Sequence, residues 1–432
     1  MVWELQVKGV REMRTKIVFV ITTGTEARLI APVYRELIRR AVAVTNISTE
    51  SLCCDASGEQ PETAMDIQDM TYTPLSGNTV TLLRQENPDL VVVGGDQEYI
   101  RRSFLYAADG LGIPTLLLQV GISSNTYNIP RIAIQRTVYR LKHHGLNIIR
   151  KYLCLLRTTV ALRWSPLRIT KMILTDINIA FTVDDANGRF GRRAVAVSCQ
   201  WQKGTMVARG ISPEMITVTG NPLIQVVNDQ KREGSIRYRL EIDKDDRIIL
   251  FLTCAQVEHG RWLPSTREGF VKGALDTISQ LADRTTKIVI KIHPMESLED
   301  YEGVVGNRAN VILCKDIPLA PAVSDSDFVV VGGYSTAILE TCIYHKPMLI
   351  LNISGEVEEV PYEDMGIAVN VNSLSELHDW TAALINNPET REQLSNKAKA
   401  FCEANVELVD GKATGRISDL IEELAKTHRR MR

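Results

Sequence analysis

A chain of 432 residues is long enough for two ordinary cores, and a formal net charge of −2 excludes a nucleic-acid partner recognised by bulk charge. Its 44% hydrophobic and 24% charged residues are those of a globular protein. Eight scattered cysteines with no CxxC pair argue against a zinc site or disulfide framework and for a reducing compartment.

Lys16 to Ile21 reads as the first strand, Thr22-Thr23-Gly24-Thr25 as a small-residue turn, and Glu26 to Arg40 as the first helix. Ala27, Ile30, Ala31, Tyr34, Leu37 and Ile38 fall on one face of that helix. Residues 41 to 80 are mixed, and a helix ends over Arg84 to Asn87. Then comes Pro88-Asp89-Leu90-Val91-Val92-Val93-Gly94-Gly95-Asp96, a helix, and Gly112 to Gly121 around Leu116-Leu117-Leu118. Continuous apolar runs bounded by Gly and Pro are what a parallel sheet covered on both faces requires. Ligands of such sheets bind at the carboxyl ends of the strands, where Gly94, Gly95 and Asp96 fall.

From Gly110 to Thr175 there is no Asp or Glu. Between Arg131 and Lys171 the bases Arg136, Arg140, Lys142, Arg150, Lys151, Arg157, Arg163 and Arg168 alternate with apolar residues including Leu141, Ile149, Leu153, Leu162 and Leu167. This is the composition of basic amphipathic helices that lie on anionic membranes. Tyr152 and Trp164 are aromatic types that favour the interface. A helical excursion packed on the sheet, with a solvated basic face, is the other reading.

Ile179 to Val183 reads as a strand, Ser198 to Arg209 as a helix and Ile216 to Thr219 as a strand, broken by Gly220-Asn221-Pro222. The Asp- and Lys-rich stretch 228–247 is the expected linker, dividing a domain over 1–227 from one over 228–432. In the second domain strands are expected at 248–253, 287–292, 311–313 and 348–351. Helices are expected at 266–282, 336–345, 375–385, 390–403 and 415–426. Phe328-Val329-Val330-Val331-Gly332-Gly333-Tyr334-Ser335-Thr336 repeats the strand–glycine–helix design of 88–96. The predicted class is α/β: two Rossmann-like parallel-sheet domains facing across a cleft. The opening Met1 to Gln6 lacks a signal-peptide pattern, and no acid-free apolar run reaches the ~20 residues of a spanning helix. A cytoplasmic protein, peripheral on the inner membrane face if the basic segment binds there, is expected.

The sequence resembles the non-hydrolysing UDP-N-acetylglucosamine 2-epimerases and the wider class of GT-B glycosyltransferases. Thr22-Thr23-Gly24-Thr25-Glu26-Ala27, with Ala31-Pro32 and Leu37, is similar to the epimerase opening motif GTRPEA and its APxxxxL continuation. Pro88 to Asp96 is similar to PDxVxVxGD, Val218 to Pro222 to a shared TGNP turn, and Ile292-His293-Pro294 to a shared HP step. The epimerase positions depart. Gln119 stands where that family has a catalytic Glu, Gly24 aligns with its phosphate-contacting Arg, and Ala255 to His259 replaces its HRREN step. Tyr334 to Glu340 keeps only the last Glu of SGGxxEE. A HP step followed by Ser-Thr is similar to bacterial sialyltransferases and wall-polymer glycerophosphotransferases, and Glu340 ahead of Lys346-Pro347 to Kdo transferases.

The resemblance implies a nucleotide-sugar donor held mainly by the second domain and a glycan or lipid-linked acceptor held mainly by the first. Ser335 and Thr336, expected at a helix N-terminus, are candidate phosphate contacts or plain helix caps. Glu340 is a candidate ribose contact or a surface helix residue. His293 is a candidate donor to the departing phosphate, Lys291 its assistant, and Asp96 a candidate base or a helix cap. Glu258, with His259 and Arg261, is a further candidate for phosphate or base contact. Asn221 and Pro222 read as a structural turn, and Asp184-Asp185 as a loop. No metal and no cofactor are expected, and a homodimer is compatible with the sequence. A divergent epimerase and a non-catalytic nucleotide-sugar-binding protein are the alternative readings.

Overall fold

The computed structural model describes residues 15–22, 24–48, 68–71, 77–96, 98–119, 130–181, 194–225, 234–258, 262–335, 337–353 and 360–431. Seven strands form one parallel sheet: β1 Lys16–Ile21, β2 Ala43–Ser48, β3 Gln68–Thr71, β4 Leu90–Val93, β5 Thr115–Leu118, β6 Ala194–Val197 and β7 Ile216–Val218. Their order is β3-β2-β1-β4-β5-β6-β7. Six more form a second: β8 Arg247–Leu252, β9 Thr286–Lys291, β10 Val311–Cys314, β11 Phe328–Val331, β12 Met348–Leu351 and β13 Val369–Val371, in the order β10-β9-β8-β11-β12-β13. In each sheet the first strand is central, the chain builds outward on one side, then returns to build on the other. The reversal creates a switch point, between β1 and β4 and again between β8 and β11, where the loops at the strand carboxyl ends diverge and leave a crevice.

Strands β4 and β11 are apolar throughout because helices cover both faces. Leu90–Val93 and Phe328–Val331 are buried at every position, and a strand with no solvent face has no use for alternation. In the first unit the helices are α1 Gly24–Arg39, α2 Thr79–Glu86, α3 Tyr99–Gly110, α4 Pro130–Ala161, α5 Pro166–Phe181 and α6 Gln200–Ala208. In the second they include α7 Pro264–Leu281, α8 Glu299–Val305, α9 Leu319–Asp325, α10 Ala337–Cys342, α11 Leu374–Asn386 and α12 Pro388–Ala404, and the chain ends in α13 Ala413–Met431. Removing a large core side chain such as Phe251, fully buried, is expected to cost about 3–5 kcal/mol.

Two expectations are corrected. The strand over Ile179 to Val183 is not formed: 179–181 are the last turn of α5, and Thr182 and Val183 lie outside the described residues. The run of Ile177, Ile179 and Val183 has strand composition. However, Met172 and Asp176, four residues apart and both buried, put one helical face inward. The helix expected over Thr336 to His345 ends at Cys342, and Thr336 lies outside the described residues. His345 takes a left-handed conformation, φ +54°, which no helix can propagate through. Strands β3, β6 and β13 went unread because each is short, and β2 because Thr45, Asn46 and Ser48 break its apolar run.

The last helix leaves the second sheet and packs on the first. Ile417, Ile421 and Ala425 of α13 are fully buried among Phe19, Leu29, Val33 and Leu37. Charge reinforces the seam: the Arg40 guanidinium lies 2.7 Å from Glu36, 2.5 Å from Asp419 and 3.0 Å from Glu422. Hydrogen bonds from Arg39 and then Arg40 lower the Glu36 carboxyl from 4.5 to about 2, and Lys426 with Arg40 lowers Glu422. A depressed carboxyl contributes its stability above the unfolded-state value and loses it as pH falls toward the folded one. Hydrogen exchange in α13 is therefore expected to quicken between about pH 4.5 and pH 2. Arg40→Ala should reduce that dependence without abolishing it, since Arg39 still holds Glu36 and Lys426 still holds Glu422, at a cost of about 1 kcal/mol or less because the pairs are solvent-screened.

Candidate active site at the strand carboxyl ends

In the first unit the switch point is closed by a buried ion pair. Glu26, on the first turn of α1, points back under the β1 terminus and accepts hydrogen bonds from the Thr22 N–H at 2.7 Å and the Thr22 hydroxyl at 3.0 Å. Arg101 of α3 lies 2.9 Å from its other oxygen and also donates to the Thr22 hydroxyl. Gly94 is required by this arrangement, since a Cβ there would fall 1.9 Å from the Glu26 carboxylate. Asp96 follows at the end of β4 and is fully buried. It is not the cap of α3: Glu98 is, accepting from the Ile100 and Arg101 N–H groups at 2.8 and 3.0 Å. Asp96 has no exposed surface here, so an acceptor reaches it only if its cover moves.

Beside it, pairing of Val93 with Leu117 places Gln119 level with Gly95. Gln119 is 4% exposed, and among the described residues neither atom of its side-chain amide has a hydrogen-bond partner. Asn221 and Gly220 form a turn, as their sequence suggests. Asn221 accepts from the Leu223 N–H at 2.9 Å, Gly220 has φ +83°, and Arg416 of α13 grips the Thr219 carbonyl at 2.9 Å.

In the second unit the pairings Leu252↔Lys291 and Val331↔Leu252 bring the ends of β9, β8 and β11 abreast. His293 and the Gly332-Gly333-Tyr334-Ser335 turn thus flank Thr253 on either side. Two strand spacings, roughly 10 Å, separate the outer pair. Gly333 at φ +136° makes a bend that favours glycine. The His293 N–H donates to Thr253 Oγ1 at 2.8 Å and to Glu296 Oε2 at 3.0 Å. The Met295 N–H donates to His293 Nδ1 at 3.2 Å, so the neutral ring carries its proton on Nε2 and offers it as a donor. Glu296 also takes hydrogen bonds from Thr253 and from the Tyr301 hydroxyl at 2.6 Å. Burial raises the Glu296 carboxyl, and those hydrogen bonds oppose the rise.

The remaining candidates are placed as follows. Ser335 accepts from the Ala337 N–H at 3.3 Å, as a cap, and Thr336 lies outside the described residues. With only six residues in α10, the dipole behind this turn is weak, so the backbone N–H groups matter more than the helix. Glu340 is half-buried on α10, near enough to Tyr344 to raise its hydroxyl to about 12 together with burial, the larger cause. The Lys291 ammonium is turned to the Lys315 carbonyl at 3.1 Å, and burial lowers its pKa. Glu258 is 2.8 Å from Arg267, which also holds Asp300 at 2.7 Å. His259, Arg261, Asp184 and Asp185 lie outside the described residues. Among the described residues no three His, Cys, Asp or Glu gather as a metal site.

The residues that orient His293 were not anticipated: Thr253, Glu296, Tyr301 and Arg267. The spacing of Glu296, three residues after His293, was the available signal for a carboxylate folding back on the strand end. Glu296→Ala is expected to take the acceptor from the Thr253 and Tyr301 hydroxyls, while the His293 N–H keeps Thr253, and to cost about 1–3 kcal/mol in urea unfolding. Glu258→Ala, removing a half-buried partner of Arg267, should cost less.

No protein-family model matches the sequence, and no curated protein matches it. Solved structures do match in shape. The UDP-GlcNAc 2-epimerase of Neisseria meningitidis, bound to UDP-GlcNAc, aligns at TM-score 0.54 and 16% identity over 90% of this chain and 99% of that one. The calicheamicin glycosyltransferase CalG4 aligns at 0.58 and 14% over 96% and 99%. The wall teichoic acid polymerase TagF, solved with CDPG, aligns at 0.53 and 13% over 95% and 89%. The chain therefore has the GT-B fold, in the two-unit form these epimerases and transferases share.

Proposed function

We propose that the protein is a GT-B transferase that moves a sugar or related unit from a nucleotide-activated donor to a glycan or lipid-linked acceptor. The observation that carries this reading is the fixed tautomer of His293: an Nε2–H donor held at a strand end, level with a glycine turn. In the proposed reaction the bond between the transferred group and the donor phosphate breaks, and its electron pair goes to the phosphate oxygen. His293, held in place by its hydrogen bonds, stabilises the charge that develops there as a donor, with Ser335 and Thr336 as further donors. Glu340 accepts from the ribose. Asp96 takes the acceptor hydroxyl proton as the new bond forms, once acceptor binding uncovers it. Lys291 and Glu258 play supporting roles through the Lys315 carbonyl and Arg267.

Epimerisation at C2 requires groups that remove and return the C2 proton. Gln119, where a carboxylate would serve, has no basic site able to take that proton at neutral pH, and this weighs for transfer over epimerisation. The neighbours solved with UDP-GlcNAc and CDPG make uridine and cytidine diphosphate conjugates the first ligands to try. A thermal-shift screen should find one that stabilises the fold, and nucleotide release should then depend on an added acceptor. Release without acceptor but with solvent hydrogen entering C2 would favour the epimerase instead. Binding with no turnover at all would favour a sensor.

For the transferase, His293→Ala is expected to lower kcat about 10²–10³-fold, and Asp96→Asn about 10²–10⁴-fold. Glu340→Ala should weaken nucleotide binding about ten-fold, the loss of one charge-assisted hydrogen bond. Unchanged turnover in His293→Ala would remove the basis of the assignment.

A further inference from the structure

The helices α4 and α5 carry their apolar residues on the wrong side for a helix that merely packs on a sheet. A surface helix turns apolar residues inward and polar ones outward. On the outer face of α4, in steps of three and four, stand Val138, Lys142, Leu146, Ile149, Leu153, Arg157 and Val160, every one exposed. Leu146 is 73% exposed. The inner face is already satisfied: Cys154, Leu155, Thr158 and Thr159 are buried against the first unit. In α5, Leu167 (78% exposed), Lys171 and Leu174 continue the pattern.

Charge supplies the second observation. Asp176 is the one acid in the two helices, and it is consumed internally. It lies 2.5 Å from the buried Arg102 and accepts from the Tyr152 hydroxyl at 3.0 Å. Tyr152 is thereby turned inward, its ring edge-on to Tyr99 at 4.9 Å, and Trp164 packs on Tyr106 at 4.8 Å. Neither aromatic is the outward anchor that composition suggested. What faces outward is aliphatic and basic, with no described acid among it.

We propose that this face of α4 and α5 docks on the surface of an anionic lipid bilayer, its leucines and valines in the headgroup–acyl boundary and its lysines and arginines among the headgroups. A second copy of the chain fits worse, since two acid-free faces would set base against base. No described helix is long and apolar enough to cross a membrane, so the contact is parallel to the surface. The docked face lies near the candidate acceptor side: Lys151 of α4 is 3.4 Å from Glu98, two residues beyond Asp96. Delivery of a lipid-linked acceptor to Asp96 rests on the transferase reading; the docking does not.

The test is co-sedimentation of the full chain with vesicles of phosphatidylcholine plus phosphatidylglycerol, against phosphatidylcholine alone, at low and high salt. Binding to the anionic vesicles that weakens with salt is expected. Two variants are compared: Leu146→Ser with Ile149→Ser and Leu153→Ser, and Lys142→Glu with Arg150→Glu and Lys171→Glu. Each should lower vesicle affinity about ten-fold or more, with the thermal midpoint unchanged because all six side chains are exposed. Failure of the wild type to sediment with anionic vesicles at low salt overturns the proposal. So does unchanged binding in both variants, or a solution dimer that the serine variant converts to monomer. Turnover on a soluble acceptor should survive in both variants; its absence from wild type that still binds vesicles would sink the transferase reading alone.

Discussion

Everything else in this molecule depends on sheets that are buried on both faces. A parallel sheet cannot present a solvated side without breaking the helix cover that its crossover connections impose. Chemistry is thereby driven to the strand ends, where backbone groups outrun the ladder and polar side chains can be admitted. The strand order then selects which ends. Reversal of direction around β1 and β4, and around β8 and β11, leaves the places where loops part. Glu26, Gly94, Asp96 and Gln119 gather at the first, and Thr253, His293, Gly333 and Ser335 at the second.

The two ends are built differently. The first is dominated by a carboxylate–guanidinium pair, Glu26 with Arg101, buried against a glycine that has no room for a side chain. Such a pair is expensive to desolvate and tolerable only with additional donors, which Thr22 supplies twice. The second end instead surrounds one buried carboxylate, Glu296, with neutral donors and keeps Arg267 at its margin, 4.0 Å away. The first arrangement locks α1 and α3 to the strand tips. The second fixes a single imidazole in position and tautomer.

The units are joined by more than their linker. The chain leaves the second core at Leu408, and helix α13 then packs on the first. Arg416 ties it to the turn after β7 through the Thr219 carbonyl, and Ile417, Ile421 and Ala425 seat it in the first core. Gly220 has no alternative at its position, since a Cβ would meet the Glu407 carbonyl at 2.2 Å. Relative movement of the two sheets must therefore carry α13 with one of them, and the screened ion pairs around Arg40 are a compliant seam for it.

The amino-acid sequence determined the fold class and most central strands by itself. Uninterrupted runs such as Leu90-Val91-Val92-Val93 and Phe328-Val329-Val330-Val331 have one physical use, burial on both sides. The Gly-Gly steps after them mark strand ends as plainly. It also identified His293 and Asp96 as strand-end residues, because position along a strand is local information. Only the tertiary structure decided what surrounds them. That Glu98 rather than Asp96 caps α3, that Arg267 claims Glu258, and that Lys291 turns to Lys315 are choices among partners distant in sequence. The same holds for α4 and α5: composition showed a basic, apolar, acid-free stretch. Which residues face out, and that Tyr152 and Asp176 face in, followed from packing against α3, a contact that no periodicity within the segment encodes.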